Sequence, residues 1–269
     1  MTVKNAGTLG RITGRGVSGI PVLPVAPVTG VPVVAPGGDV DAYLQKLLGI
    51  QSDNLIGLWP MGERSGSVAV DESPEINDGA YTSVTLNNST FKNGRPVGLW
   101  DGANDYNDIY SAGFDADFDG NDFTVAIWAK VSSAAVWTDG TRRRVITILG
   151  DASNFLYMDK RGAANQLETS RLGSGVNKAI VIPLSTTDWF HFAMTYDGTA
   201  DELKYWINGA QTGGTKTLNG AWVGALSATQ TVLGAETITP TTVWDGWLAY
   251  MAVWTKALTP AEVLEVATV

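Results

Sequence analysis

The chain has 269 residues, 44% of them hydrophobic, with ten tryptophans, no cysteine and a formal net charge of −9 at pH 7. This length suits one large domain, and the lack of cysteine excludes disulfides and thiol nucleophiles. No stretch approaches the roughly 20 uninterrupted apolar residues of a membrane helix, so we expect no membrane insertion. The first 38 residues carry +3 and the remaining chain therefore −12, a charge that repels nucleic acid.

Residues 1–38 are predicted to form an extended arm rich in proline, glycine and valine. Each proline lacks a backbone N–H and fixes its own φ, so neither a helix nor a central strand forms here. Ordering such a chain costs about 1–2 kcal/mol per residue, which contacts with another protein must offset. We interpret the arm as an anchor in an assembly that holds several copies, with its cations facing an acidic groove of a neighbouring subunit. The anchor residues are Lys4, Arg11, Arg15, Pro21, Pro24, Pro27, Pro32 and Pro36.

Residues 39–54 are predicted to form a short helix and a linker. Asp39 is a suitable N-cap, the helix continues through Leu48, and Gly49 is placed to end it. Its apolar residues fall at helical spacing and form one stripe. The stripe requires a surface on which the helix can lie.

Residues 55–269 show short β-rich runs separated by Gly, Asn and Asp, a pattern typical of an antiparallel sandwich. Within 189–196 the alternation predicts a strand with one buried side. A closing helix begins at Thr259 with a capping box to Glu262, and Val263, Leu264 and Val266 are expected to pack it down. The predicted strands are Leu55–Trp59, Val97–Trp100, Asp122–Val131, Val145–Leu149, Phe155–Asp159, Ala179–Ile182, Trp189–Tyr196, Leu203–Ile207, Thr231–Leu233 and Trp247–Trp254.

Several short motifs together resemble laminin-G-like domains of the concanavalin A-like superfamily. In the order found in that family they are Leu55–Glu63, Leu99–Tyr106, Phe123–Trp128, Trp189–Gly198, Leu203–Gly209 and the closing Leu258–Glu262. The resemblance implies an all-β fold, a two-sheet antiparallel jelly-roll sandwich with short flanking helices. It also implies a binding or spacer module, often for carbohydrate and sometimes with calcium at the rim. The form of Leu58–Glu63, preceded by a short helix, is similar to the variant common in bacteriophage structural proteins.

The superfamily also contains glucanases, so we tested the residues for catalysis. Glycoside cleavage needs two carboxylates facing one bond, and the Glu-x-Asp-x-x-Glu string of the retaining glucanases of this fold is missing from the sequence. The single histidine, His191, lies within a predicted strand, where we expect a core or sheet-surface role. We therefore expect a protein that is not an enzyme.

Seven aspartates fall between Asp101 and Asp122 without any lysine or arginine. Uncompensated carboxylates repel one another, and a calcium ion with oxygen ligands would relieve that repulsion. The alternative is a solvated loop rich in turn-forming aspartate. The candidate ligands are Asp115, Asp117 and Asp119, with Asp105 in addition; no cofactor other than calcium is indicated.

Three tryptophans lie in loop-like sequence and are the candidates for stacking on a sugar ring: Trp137, Trp222 and Trp244. The alternative for each is a role in packing or at an interface. The remaining tryptophans lie mostly in predicted strands and are expected to fill the core or a subunit contact.

These observations favour a structural virion protein of a bacteriophage, assembled in the host cytoplasm. The arm would bind other virion proteins, and the sandwich would be displayed on the tail for adhesion to host-surface carbohydrate. One alternative is a capsid decoration protein that stabilises the shell without binding glycan. A second alternative is a secreted bacterial carbohydrate-binding module.

Overall fold

The computed structural model of the protein describes residues 41–269. These residues, Asp41–Val269, form one compact unit. The predicted arm, with all of its anchor residues, and the predicted N-cap Asp39 lie outside the described residues.

Residues 41–269 form sixteen strands and three α-helices. The helices are α1 (Ala42–Gly49), α2 (Ala112–Asp117) and α3 (Pro260–Val266). The strands are β1 (Leu55–Trp59), β2 (Val68–Ala69), β3 (Gly79–Thr82), β4 (Thr85–Thr90), β5 (Pro96–Asp101), β6 (Tyr106–Asp108), β7 (Asp122–Val131), β8 (Arg143–Asp151), β9 (Asn154–Lys160), β10 (Gln166–Gly173), β11 (Val176–Pro183), β12 (Phe190–Asp197), β13 (Glu202–Ile207), β14 (Ala210–Lys216), β15 (Thr231–Leu233) and β16 (Asp245–Trp254).

The strands form two antiparallel sheets that pack face to face. Sheet 1 has the order β14-β13-β12-β7-β16-β5-β4, and β1 also pairs with β16. Sheet 2 has the order β11-β10-β9-β8-β15-β6-β3-β2. The predicted two-sheet sandwich is therefore confirmed, and each of the ten predicted strands is present with ends within three residues of the prediction.

The strands that the sequence did not reveal are short or largely polar. β4 reads Thr-Leu-Asn-Asn-Ser-Thr, and β14 reads Ala-Gln-Thr-Gly-Gly-Thr-Lys. Both lie at the edges of sheet 1 and are mostly exposed, so they have no need of the large apolar residues that mark a strand. The helix α2 lies within the stretch that was expected to be an aspartate-rich loop.

The main core lies between the two sheets. Sheet 1 contributes the inward side chains of β12, among them Phe190, Phe192 and Met194. Sheet 2 contributes inward side chains of β8 and β9, among them Ile148 and Met158.

A second core lies on the opposite face of sheet 1, where α1 and α3 cover the strands. Tyr43 of α1 donates its hydroxyl hydrogen to the carbonyl of Val266 over 2.5 Å. The indole of Trp128 in turn donates to the Tyr43 hydroxyl oxygen over 2.8 Å. The outer face of sheet 1 and α3 thus supply the surface that the stripe of α1 requires, and the two helices cover most of that face.

This second core corrects three details of the sequence prediction. The strand β12 is buried on both faces rather than one, because the helices cover the side that was expected to be open. The N-cap of α1 is Asp41, whose carboxylate accepts a hydrogen bond from the Leu44 amide over 3.0 Å. The capping box of Thr259 and Glu262 is confirmed, but Leu264 is 55% exposed and does not pack on the sheet.

His191 lies in this second core and is buried, with its ring 5.1 Å from that of Trp128. Neither ring nitrogen has a hydrogen-bond partner within residues 41–269. Burial, reinforced by the nearby cation of Lys92, lowers the pKa of His191 to about 3. The folded protein therefore holds this imidazole neutral at pH values where an unfolded chain protonates it.

We predict that replacing His191 with Leu removes a contribution that destabilises the folded state in acid, so that the variant gains stability relative to the wild type as the pH falls below 6.5. Below pH 6.5 only the unfolded wild type takes up this proton, so the wild type loses about 1.4 kcal/mol per pH unit relative to the variant. Chemical denaturation at pH 8, 6 and 5 measures the difference, and the pH 8 value isolates the packing change. A difference that stays constant across this range would contradict the lowered pKa.

Candidate functional site

The three loop tryptophans proposed for sugar stacking are all buried, so their expected exposure is wrong. Trp137, Trp222 and Trp244 are 1%, 4% and 0% exposed. Trp137 lies in a short 3₁₀ helix and donates its indole N–H to the Thr186 carbonyl over 2.7 Å. A tryptophan in a loop lies outside the sheets along the chain, but its side chain can still point into the core. Burial of its large aromatic surface stabilises the fold, so the inward orientation is favoured.

Trp222 shows how the rim of the sandwich closes over the core. Its ring packs edge-on against Phe118 with centroids 5.6 Å apart. It also lies against Gly120, where an added Cβ would come within 2.4 Å of the indole and where φ is +65°. Arg171 holds the two loops together by donating to the carbonyls of Gly120 and Gly220 over 2.9 and 2.8 Å.

The aspartates proposed as calcium ligands do not assemble into a metal site. Within residues 41–269 no group of three or more His, Cys, Asp or Glu side chains is placed to hold an ion. Asp115 accepts from the Leu226 amide over 2.5 Å, and Asp119 accepts from the Asn121 amide over 2.8 Å. Asp117 ends the short helix α2. These carboxylates are thus used at backbone N–H groups or separated by the helix, so the described residues do not fit the proposed ion.

Asp105, the fourth candidate ligand, is buried at a turn. Its carboxylate accepts a hydrogen bond from the Asp101 amide over 2.6 Å. Burial, together with the neighbouring Asp101 carboxylate, raises the pKa of Asp105 to about 6 although the amide hydrogen bond opposes this shift. The local role of this side chain is to fix the turn after β5.

The outer face of sheet 2, the face turned away from sheet 1, carries a pocket that the sequence did not predict. Strand pairing places Thr147 opposite Tyr157, and Leu149 opposite Phe155. Their sequence neighbours point into the core, so these four side chains point outward. The cavity has a volume of about 120 Å³. We call it the sheet 2 pocket, and it is lined by Arg144, Thr147, Leu149, Phe155, Leu156, Tyr157, Gln230 and Glu236.

Two aromatic rings form one wall of the sheet 2 pocket. Phe155 and Tyr157 stack with centroids 5.7 Å apart and planes 22° from parallel, and both are half-buried. The Tyr157 hydroxyl donates to Glu168 over 2.9 Å, and the guanidinium of Arg144 lies 4.1 Å from the Tyr157 ring centre. The rings are therefore held in place by strands and by fixed partners rather than by a loop.

Arg144 is the polar centre of the pocket and is only 5% exposed. It lies between two carboxylates, 3.6 Å from Asp159 and 3.5 Å from Glu236. These separations exceed normal hydrogen-bond lengths, and its Nε and Nη1 atoms donate to no acceptor within the described residues. A buried arginine with unused N–H donors, lining a cavity, indicates a place for ligand oxygen atoms.

A network of charges behind the pocket fixes this arrangement. Asp159 is fully buried and lies 3.1 Å from Arg142, which also contacts Glu168 at 3.0 Å. Burial raises the pKa of Asp159 to about 7, although Arg144 and Arg142 both oppose that shift. The charges of the network are thus mutually compensated before any ligand arrives.

The sequence did carry a signal for this site. The outward positions of β8 and β9 include Arg144, Thr147, Tyr157 and Asp159. Charged and aromatic side chains together on one face of a sheet are a signal of a binding site. Two of the remaining tryptophans are only partly buried and pack against the second core. Trp189 and Trp247 are half-buried on the outer face of sheet 1, on either side of Lys130.

We predict that Trp222→Ala lowers the free energy of unfolding by about 3–5 kcal/mol, because it removes a buried ring from the rim of the core. The matched variant Trp247→Ala removes an equal volume from a half-exposed position, and a cost of about 1 kcal/mol is expected there. Urea denaturation of both variants measures the two values. Equal costs would mean that Trp222 does not hold the rim closed.

None of the helices within residues 41–269 combines the length and apolar character needed to cross a membrane. No curated protein matches the chain. A laminin-G-type family model, described as the concanavalin A-like lectin/glucanases superfamily, matches residues 101–264, which is more than half of the chain.

Solved structures with the same fold include a receptor-binding domain of a neurotoxin and a domain of an arabinanase. The receptor binding domain of botulinum neurotoxin mosaic serotype C/D, with tetraethylene glycol and sulfate bound, has a TM-score of 0.60 and 15% identity over 80% of this chain and 51% of that one. The chain thus spans about half the length of the neurotoxin domain. Domain 4 of AbnA, a GH43 extracellular arabinanase from Geobacillus stearothermophilus in complex with arabinotriose, has a TM-score of 0.54 and 17% identity over 80% of this chain and 98% of that one. The family match and the two-sheet sandwich agree: the chain belongs to the laminin-G-like domains of the concanavalin A-like lectin/glucanases superfamily.

Proposed function

We propose that the protein is a glycan-binding module and that the sheet 2 pocket is its binding site. The observation that carries this proposal is the pairing of an aromatic wall with a buried arginine whose N–H donors are unused. A sugar ring offers both an apolar C–H face and a rim of hydroxyl groups. Phe155 and Tyr157 suit the first, and Arg144 suits the second.

The size of the pocket limits what it can hold. Pockets for drug-sized ligands are commonly about 300–1,000 Å³, whereas this one has about 120 Å³. It therefore accepts the end or the edge of a single sugar unit rather than enclosing an oligosaccharide. Such a contact gives modest affinity for each copy of the protein.

The same geometry supports binding without turnover. Glycoside cleavage needs an acid and a second carboxylate on opposite sides of one bond. Glu236 is the one carboxylate that lines the pocket, and Asp159 lies behind Arg144. Both are engaged with the same arginine, so neither is placed as a nucleophile.

The comparisons support this proposal at the level of fold. The arabinanase domain was solved with arabinotriose and the neurotoxin domain is receptor-binding, so the same sandwich occurs in a domain solved with a saccharide and in a receptor-binding domain. Site chemistry rather than fold must supply the specificity.

We predict that Phe155→Ala weakens glycan binding at least about tenfold, equivalent to ~1.4 kcal/mol, because it removes one face of the aromatic wall. A glycan array followed by calorimetry on the strongest binders measures the change. Trp247→Ala on the outer face of sheet 1 is the matched control and is expected to leave binding unchanged. The reverse pattern, with loss only in the Trp247 variant, would move the site to sheet 1.

We further propose that this module is part of a bacteriophage virion, displayed on the tail for adhesion to the host surface. Support comes from the phage-like form of Leu58–Glu63 and from the proline-rich arm of residues 1–38, which lies outside the described residues. The arm would contact other virion proteins and bring several copies together. A capsid decoration protein is the alternative location, and a secreted bacterial module is the alternative source.

We predict that deletion of residues 1–38 leaves a folded sandwich that no longer joins its assembly. The compact unit begins at Asp41, so the deletion keeps the N-cap of α1 and both cores. Copurification of the tagged truncation with particles tests this, with the tagged full chain as control. Normal incorporation of the truncation would reject the anchor, and the position of the full chain in the particle distinguishes tail from shell.

A further inference from the structure

We propose that the sheet 2 pocket selects neutral sugars over acidic ones and that it binds a pair of neighbouring hydroxyl groups between Arg144 and Glu236. This inference rests on the proposed function, because it assigns the ligand class of the same site. It follows from the charge balance of the pocket and from its unused hydrogen-bonding groups.

The charge of Arg144 is already compensated. Asp159 lies 3.6 Å from its guanidinium on one side and Glu236 3.5 Å on the other. A carboxylate or sulfate of a ligand would meet a cation whose charge is already balanced, since Arg144 shares Asp159 with Arg142 and also faces Glu236. The sandwich around it belongs to a part of the chain with a net charge of −12, so an anionic ligand gains little on approach as well.

The pocket contains both hydrogen-bond donors and hydrogen-bond acceptors that are free to bind a ligand. Nε of Arg144 is a buried donor without an acceptor in the described residues, whereas Nη1 faces Asp159 at 3.6 Å. Glu236 supplies acceptor oxygens, one of which accepts a hydrogen bond from Thr241 over 3.3 Å and retains further capacity. The amide of Gln230, on the same wall, can both donate and accept.

A hydroxyl group donates and accepts at one atom, so two neighbouring hydroxyls match a donor beside an acceptor. An anion provides acceptors only, and an ammonium group provides donors only. An ammonium group would leave the buried donors of Arg144 unsatisfied, which is costly, and an anion would be repelled by the Glu236 carboxylate. The diol of a neutral sugar satisfies both sides, while its C–H face lies against Phe155 and Tyr157.

Titration calorimetry on the full chain at pH 8 tests the inference. The neutral probes are arabinotriose, xylotriose and maltotriose, and the acidic probe of matched length is trigalacturonate. We expect at least one neutral probe to bind more tightly than trigalacturonate. Its affinity should change less than about twofold between 50 and 500 mM NaCl, since a neutral ligand has no charge to screen.

The variant Glu236→Gln separates the possible outcomes. This side chain is 39% exposed, so folding should survive, and a melting curve checks that. We expect neutral binding to weaken about three- to tenfold, because a charge-assisted hydrogen bond becomes an ordinary one. Glu202→Gln, a similarly exposed glutamate on sheet 1, is the control and should change nothing.

Three results would overturn the inference. If trigalacturonate binds more tightly and Glu236→Gln strengthens it, the ligand is acidic, and the glycan-binding function stands. If a neutral probe binds but Glu236→Gln leaves its affinity unchanged, the hydroxyl pair is not held by Glu236. If no saccharide binds the wild type, the proposed function fails together with this inference.

Discussion

The burial of sheet 1 on both faces is the constraint on which the rest of the molecule depends. Sheet 2 covers one face, and α1 and α3 cover most of the other. A sheet enclosed in this way must be apolar on both sides, which explains the uniform burial of β12 and the neutral His191 within it. Polar and charged side chains are then concentrated on the outer face of sheet 2, and the pocket forms there.

Two buried groups on opposite sides of the sandwich give the protein opposing responses to pH. The pKa of His191 is lowered, so this residue alone makes the folded state less stable as the pH falls below about 6.5. The pKa of Asp159 is raised to about 7, so this residue alone makes the folded state more stable over the same fall in pH. The two contributions offset each other between roughly pH 4 and 6.5. The stability of the protein can therefore change little with pH even though the pKa values of both groups are strongly shifted.

The sequence predicted those features that depend on neighbours along the chain. Alternation marks β12 because successive residues of a strand face opposite sides of the sheet, and the capping box of α3 spans only four residues. The direction of a loop tryptophan depends on contacts that are distant in sequence. Trp222 is buried because Phe118 and Gly120, about a hundred positions earlier, form its surface. Counting aspartates fails for a related reason, since Asp105, Asp115 and Asp119 each accept a hydrogen bond from a backbone N–H that the count ignores.

The sheet 2 pocket was not predicted as a whole, because its members come from β8, β9 and two loops that only the sheet order brings together. The rigidity of the pocket lowers the entropic cost of binding, which matters for a site with few contacts. Tyr157 and Arg144 are fixed by Glu168, Asp159 and Glu236 before a ligand arrives, so little ordering remains at the moment of binding. A cavity of about 120 Å³ still offers few contacts, so the proposed site would bind one sugar unit with modest affinity. Several copies held together by their arms would multiply that affinity through effective concentration. The proposed anchor and the proposed pocket are therefore complementary, because a weak but rigid site gains most from being displayed in many copies.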